Sequence, residues 1–221
     1  MRPYDAVLLD AFGTLIELDR PFQRLRLAVE ARSAVRIGEQ LAERAFRREM
    51  AHYAEHCHLG RDRPSLRQLR LDCAGVLLDA LGLEATPQCG LEALAEAIVF
   101  RPFDDVALAL AGITAAGLPV AVVSNWDYSL PRVLERAGLR LDPVFTSAST
   151  GSAKPDPGIF LAALAALGVE PSRALHVGDT PATDGIGARN AGVDVRIVDR
   201  SRGAAGGDTI GALTEIVPLL R

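Results

Sequence analysis

The sequence predicts an α/β protein, a parallel β-sheet covered by helices on both faces, with an all-helical segment inserted after the first strand. Three observations predict this. Short apolar, β-branched runs at residues 4–10, 118–124, 173–179 and 193–198, with a weaker one at 143–148, have the character of strands buried on both faces. Helical patterns alternate with these runs from about residue 101 to 221, the order that gives parallel crossovers. Residues 17–100, in contrast, contain no convincing strand.

Taken in order, YDAVLLD at 4–10 is a strand ended by an aspartate. Helical patterns follow at 21–35, 39–57, 64–81 and 90–99. The second of them gathers Leu41, Ala45, Phe46, Met50 and Tyr53 on one broad face, and the third gathers Leu66, Leu69, Cys73, Val76, Leu77 and Leu81. Hinges are expected near Asp19-Arg20-Pro21 and Arg101-Pro102, which divides the chain into a core of residues 1–16 and 101–221 and a helical insertion of residues 17–100. A helix over 104–116 should stop at Gly117. Asp156-Pro157 reads as a helix start closed by Gly168, and Thr180-Pro181 as another closed by Gly192. Residues 209–220 are expected to form a last amphipathic helix, after a flexible loop from Arg202 to Asp208.

Composition narrows the function. The chain has 221 residues, 49% apolar and 24% charged, which are globular proportions. A net charge of −4, with arginines spread along the chain, argues against a nucleic-acid partner. No apolar stretch approaches the ~18 residues of a membrane span, and the opening MRPYDAVLLD does not resemble a secretory leader. Cys57, Cys73 and Cys89 are an odd set without a CxxC, so free thiols and a cytoplasmic setting are expected. Of 24 basic residues only Lys154 is a lysine. Such a bias can leave one lysine by chance, but it also fits a position that needs a compact ammonium.

Ligands of open parallel sheets bind beyond the carboxyl ends of the strands. Asp10, Ser124 and Asp179 end three predicted strands, Lys154 opens the loop before the 157–167 helix, and Asp184 lies in the turn after Asp179. Three carboxylates, a hydroxyl and an ammonium then share one crevice. The carboxylates would repel one another without a hard cation such as Mg²⁺, and one of them can act as a nucleophile.

Four motifs in order resemble those of the haloacid dehalogenase superfamily: Asp10-Ala-Phe-Gly-Thr-Leu, Ser124-Asn125, Lys154-Pro155-Asp156-Pro157, and Gly178-Asp179-Thr180 with Asp184. The resemblance implies a Rossmann-like core with residues 17–100 as a C1-type cap. It also implies Asp10 as covalent nucleophile, Ser124 and Lys154 as catalytic groups, and Thr14 and Asn125 beside the substrate. Mg²⁺ would be held by Asp10, the Phe12 carbonyl, Asp179 and Asp184. Phe12 departs from the pattern, because phosphatases of the superfamily usually carry a second aspartate there to protonate the leaving oxygen.

Three readings follow. The first is a Mg²⁺-dependent phosphatase of a small phosphorylated metabolite, working through an aspartyl-phosphate on Asp10 without the usual acid. The second is a metal-independent 2-haloacid dehalogenase, whose Asp-Ala-Tyr-Gly-Thr-Leu motif differs only by a hydroxyl and whose halide leaves without a proton. The third is a poorly active phosphate-binding protein. Asp179 favours the phosphatase, since dehalogenases of this fold typically have an uncharged residue there. Phosphonatase-like chemistry would need a cap lysine, and mutase-like chemistry the missing acid.

Other candidates have an ordinary alternative beside the functional one. His52 and His56 have zinc-pair spacing, with Cys57 and His58 adjacent, or are simply packed or solvated. Arg44, Arg47 and Arg48 could clamp an anion or line a solvated face. Trp126 and Asp127 should edge the cleft, with Asp127 either a surrogate acid or a helix cap, and His176 reads as a packed strand residue.

Overall fold

A computed structural model describes residues 2–33, 35–201 and 207–221. The strands are β1 (Ala6–Leu9), β2 (Ile16–Leu18), β3 (Phe100–Pro102), β4 (Val120–Ser124), β5 (Val144–Thr146), β6 (Ala174–Gly178), β7 (Asp194–Val198) and β8 (Thr209–Ile210). The helices are α1 (Pro21–Ser33), α2 (Glu39–His56), α3 (Arg63–Leu81), α4 (Pro87–Ala97), α5 (Val106–Ala115), α6 (Leu130–Arg136), α7 (Ser147–Thr150), α8 (Gly158–Leu167) and α9 (Ile186–Asn190). The chain divides into two compact units, Met1–Glu17 with Pro102–Arg221, and Leu18–Arg101.

The first unit is the predicted α/β fold. Its sheet runs β5-β4-β1-β6-β7-β8, and every pairing is parallel. The chain moves outward from β1 through β4 and β5, then returns to β1's other side with β6. The order therefore reverses at β1, and the crevice beyond the carboxyl ends opens there. Every residue of β1 is buried, as a strand covered on both faces requires. Leu8 packs with Ile159, Phe160 and Ala188 in one helix-covered layer, and its neighbours Val7 and Leu9 alternate to the other face. Gly168 closes α8 in the left-handed conformation (φ 66°), and ahead of the helix Asp156 accepts the Gly158 N–H at 2.7 Å.

Two expectations need correction here. The predicted helix over 209–220 is strand β8 followed by a 3₁₀ helix over Leu213–Leu220. Pro218 removes the amide an α-helix would use, while Leu213, Ile216 and Leu220 still bury one face. The helix expected from Thr180-Pro181 begins with a wide π-type turn over Pro181–Gly185 before α9. The predicted loop from Arg202 lies, up to residue 206, outside the described residues.

The second unit is helical from α1 to α4. β2 and β3 touch its ends only, so no strand occurs among the described residues between Asp19 and Val99. Leu25, Val29, Phe46, Leu69, Leu77 and Leu94 share its core, with Phe22 edge-on to Phe46. Burying each such side chain stabilises by ~1.5–3 kcal/mol. Asp62 and Ser65 form a reciprocal capping box on α3. No helix of the described residues is long and apolar enough to cross a membrane. The cysteines are free, with Cys57 and Cys73 buried.

Glu49 breaks the apolar rule. It lies four residues after Ala45 on the core face of α2, only 2% exposed, and its Oε2 has no partner among the described residues. Burial pushes its carboxyl up to about 7, opposed only by a hydrogen bond with Cys73. The folded chain thus holds this proton more tightly than the unfolded chain, whose carboxyl has the ordinary value of 4.5. The resulting stabilisation is complete below pH about 4.5 and is lost as pH rises through about 7. Thermal melts should fall over that window by the equivalent of ~3 kcal/mol, and Glu49→Gln should flatten the dependence. A wild-type melting temperature independent of pH between 4.5 and 8 would refute this.

Candidate active site

β1, β4 and β6 lie side by side, so Asp10, Ser124 and Asp179 meet at their carboxyl ends. The Lys154 Nζ donates to Asp10 Oδ1 and to Asp184 Oδ1, each at 2.6 Å. Ser124 also hydrogen-bonds Asp10. Asp10, Ser124, Lys154 and Asp184 are all buried. One carboxylate oxygen each from Asp10, Asp179 and Asp184 lies within 4.8 Å of the others, the sole grouping of this kind among the described residues.

Two glycines make this crowding possible. Gly13 has φ +81°, and a Cβ there would strike the Asp179 carboxylate. A Cβ on Gly178 would strike that of Asp184. The backbone therefore admits two carboxylates where any other residue would exclude them.

Burial and charge set the protonation. Burial pushes Asp10 upward, reinforced by Asp184 and opposed by the Lys154 ammonium. Burial and the Asp10 charge push Asp179 up to about 6. At Asp184 burial is outweighed by hydrogen bonds from His176 and Lys154, which hold it well below the usual carboxylate range. Burial likewise opposes the Lys154 charge, but Asp10 and Asp184 overcome it and raise its pKa. Three carboxylates against one ammonium leave negative charge to spare, and Asp179 bears the cost. This donor set, hard oxygens around a charge deficit, fits a Mg²⁺ ion.

The remaining expected residues sit as follows. Asn125 donates Nδ2 to the Lys154 carbonyl at 2.9 Å and accepts the Lys154 N–H on Oδ1 at 2.8 Å, so its amide holds the lysine's backbone. Thr14 is fully buried and its Oγ1 has no partner among the described residues. Phe12 is 37% exposed, with its ring edge-on to Trp126 at 6.5 Å. Asp127 accepts the Ser129 N–H at 2.7 Å in the turn before α6. The His52 and His56 rings stack at 4.3 Å and gather no third ligand among the described residues. Arg44, Arg47 and Arg48 are exposed, and Arg47 pairs with Glu43.

Sequence reasoning missed Arg200. Its guanidinium donates to the carbonyls of Gly13 and Thr14 at 2.8 and 2.9 Å, pairs with Asp105 at 2.9 Å, and stacks 3.8 Å from the Phe103 ring centroid. It anchors the loop after Asp10 from a position far along the chain, and no local pattern announces it.

A Rossmann-like sheet ending in this constellation defines a hydrolase class. The profile of the haloacid dehalogenase-like hydrolases matches residues 4–192, and the chain belongs to that family. It is a hydrolase, with phosphatases and dehalogenases among its relatives. The mouse haloacid dehalogenase-like hydrolase domain-containing protein 3 is 33% identical over 197 residues, 83% of this chain and 77% of that one. The phosphoserine phosphatase of Thermus thermophilus is 44% identical over 94 residues, 41% of this chain and 38% of that one. The structure of the L-2-haloacid dehalogenase of Xanthobacter autotrophicus superposes with a TM-score of 0.71 at 25% identity, covering 98% of each chain.

Proposed function

We propose that the chain is a Mg²⁺-dependent phosphatase of a small phosphorylated metabolite, with Asp10 as nucleophile and the unit of residues 17–100 as a C1-type cap on a core of residues 1–16 and 101–221. The observation that carries this reading is Asp179. A third carboxylate beside Asp10 and Asp184 is costly in a buried site and useful only with a cation. The residues to hold Mg²⁺ are Asp10, Asp179, Asp184 and the Phe12 carbonyl, and the ion would supply positive charge against the phosphoryl oxygens.

The chain's own groups perform the rest. An Asp10 carboxylate oxygen attacks phosphorus, the bond from phosphorus to the leaving oxygen breaks, and an aspartyl-phosphate forms. Lys154 spends two of its three N–H bonds on Asp10 and Asp184, leaving the third for a phosphoryl oxygen. The unpartnered Thr14 hydroxyl supplies a further donor, and Ser124 turns its single proton from Asp10 to a phosphoryl oxygen when one binds. Asn125 keeps Lys154 in place through its backbone. Water then attacks phosphorus and releases phosphate and the free Asp10 carboxylate. Phe12 has no proton to give, so the leaving group departs as an anion or is protonated by water. Substrates with good leaving groups are favoured.

The second reading is a 2-haloacid dehalogenase, supported by the aromatic Phe12 beside Trp126 and by the dehalogenases among the relatives. A panel of phosphate esters and 2-haloacids, each with Mg²⁺ and with a chelator, separates the two. We expect phosphate release that stops on chelation. Turnover of 2-haloacids that ignores chelation would establish the alternative.

A further inference from the structure

We propose that His176 is a positioning residue: its Nε2–H holds the Asp184 carboxylate so that Asp184 in turn aims the Lys154 ammonium at Asp10. This rests on the reading of Asp10, Lys154 and Asp184 as the catalytic centre.

The geometry begins in β6. Its alternation puts His176 and Gly178 on one face, and the missing Cβ of Gly178 leaves the space that the Asp184 carboxylate fills. The His176 ring is fully buried, edge-on to Phe160 with centroids 4.9 Å apart. An imidazole costs free energy there unless its polar atoms are matched, and an aliphatic residue would pack as well. Nε2 is matched, at 2.8 Å from Asp184 Oδ1.

An ionised carboxylate only accepts, so Nε2 carries the proton. Nδ1 is buried without a partner among the described residues, and a proton on it would face no acceptor. Nε2–H donating to Asp184 is therefore the arrangement that the contacts fit. The same Asp184 Oδ1 accepts from Lys154, and Oδ2 accepts the Thr180 N–H at 3.1 Å. Oδ2 also accepts from Thr183 Oγ1 at 3.5 Å, so with His176 the carboxylate is held at four points. Without it, Oδ1 is held only by the end of a flexible lysine chain. Removing outer-shell partners of this kind typically costs ~10–100-fold in activity or metal affinity.

Lys154 is the sole lysine, so protein labelled with ¹⁵Nζ-lysine reports on one ammonium, whatever the substrate. His176→Phe keeps the ring against Phe160 and removes the donor, whereas His176→Gln keeps a donor. We expect His176→Phe to shift the Lys154 ammonium signal and to lower turnover ~10–100-fold, with His176→Gln close to wild type. A folded His176→Phe protein with the wild-type signal overturns the proposal, as does His176→Gln behaving like His176→Phe. If His176→Phe does not fold, the imidazole ¹⁵N shifts of the wild-type chain decide. A protonated Nε2 supports the proposal, and a bare Nε2 overturns it. Should no phosphate ester be turned over, these spectra still judge His176, and only the proposed chemistry falls.

Discussion

Asp10→Asn should take turnover to background, a fall of roughly 10⁶-fold, the scale of losing a covalent nucleophile. The amide oxygen is a poor nucleophile, and no other carboxylate can substitute. Asp184 is committed to Lys154 and His176, and Asp179 lies across the loop at Gly13. The variant should still fold, because Lys154 keeps Asp184 as its partner. Steady-state rates beside a thermal melt test this. A folded Asp10→Asn protein with more than a thousandth of wild-type activity would move the nucleophile elsewhere.

Lys154→Arg should also lose most activity, although charge is conserved. The ammonium fits between two carboxylate oxygens at 2.6 Å each, and Lys154 is buried. A longer, planar guanidinium cannot put one compact donor at that point. Misplacement of about 1 Å in such a site costs ~10²-fold. Lys154→Met should be worse for the fold, because Asp10 and Asp184 would lose their buried counter-charge at a cost of ~3–5 kcal/mol. Urea denaturation of both variants separates the effects: arginine near wild-type stability, methionine far below. Full activity in Lys154→Arg would mean that charge alone, not its position, is what the site requires.

The strands around the site were legible because each is buried on both faces and ends where the apolar run meets Asp10, Ser124 or Asp179. Parallel neighbours then brought their ends together without any further information. The stretch 213–220 was misread because its apolar spacing of three and four is that of an α-helix, and only Pro218 argues against one. Glu49 and Arg200 were not legible at all, and His176 was legible only as a packed strand residue, as its full burial in β6 bears out. Their roles depend on groups 24, 8 and 186 or more positions away (Cys73, Asp184, and the carbonyls of Gly13 and Thr14), and a polar residue in an apolar pattern does not name its partner. Gly13 and Gly178 were visible as glycines, but the carboxylates that need them emerge only from the packing.

The central claim is that chemistry at Asp10 is phosphoryl transfer. A phosphate-ester turnover in H₂¹⁸O, followed by mass analysis of the phosphate and of the peptide holding Asp10, tests it most directly. Water attacking the phosphorus of an aspartyl-phosphate places ¹⁸O in every phosphate released and none in Asp10. An alkyl ester on Asp10, the intermediate of a dehalogenase, would instead be opened at the carboxyl carbon and leave ¹⁸O in Asp10. The account predicts labelled phosphate and an unlabelled Asp10 peptide. A labelled Asp10 peptide after incubation with 2-haloacids, with no phosphate ester consumed, would contradict it.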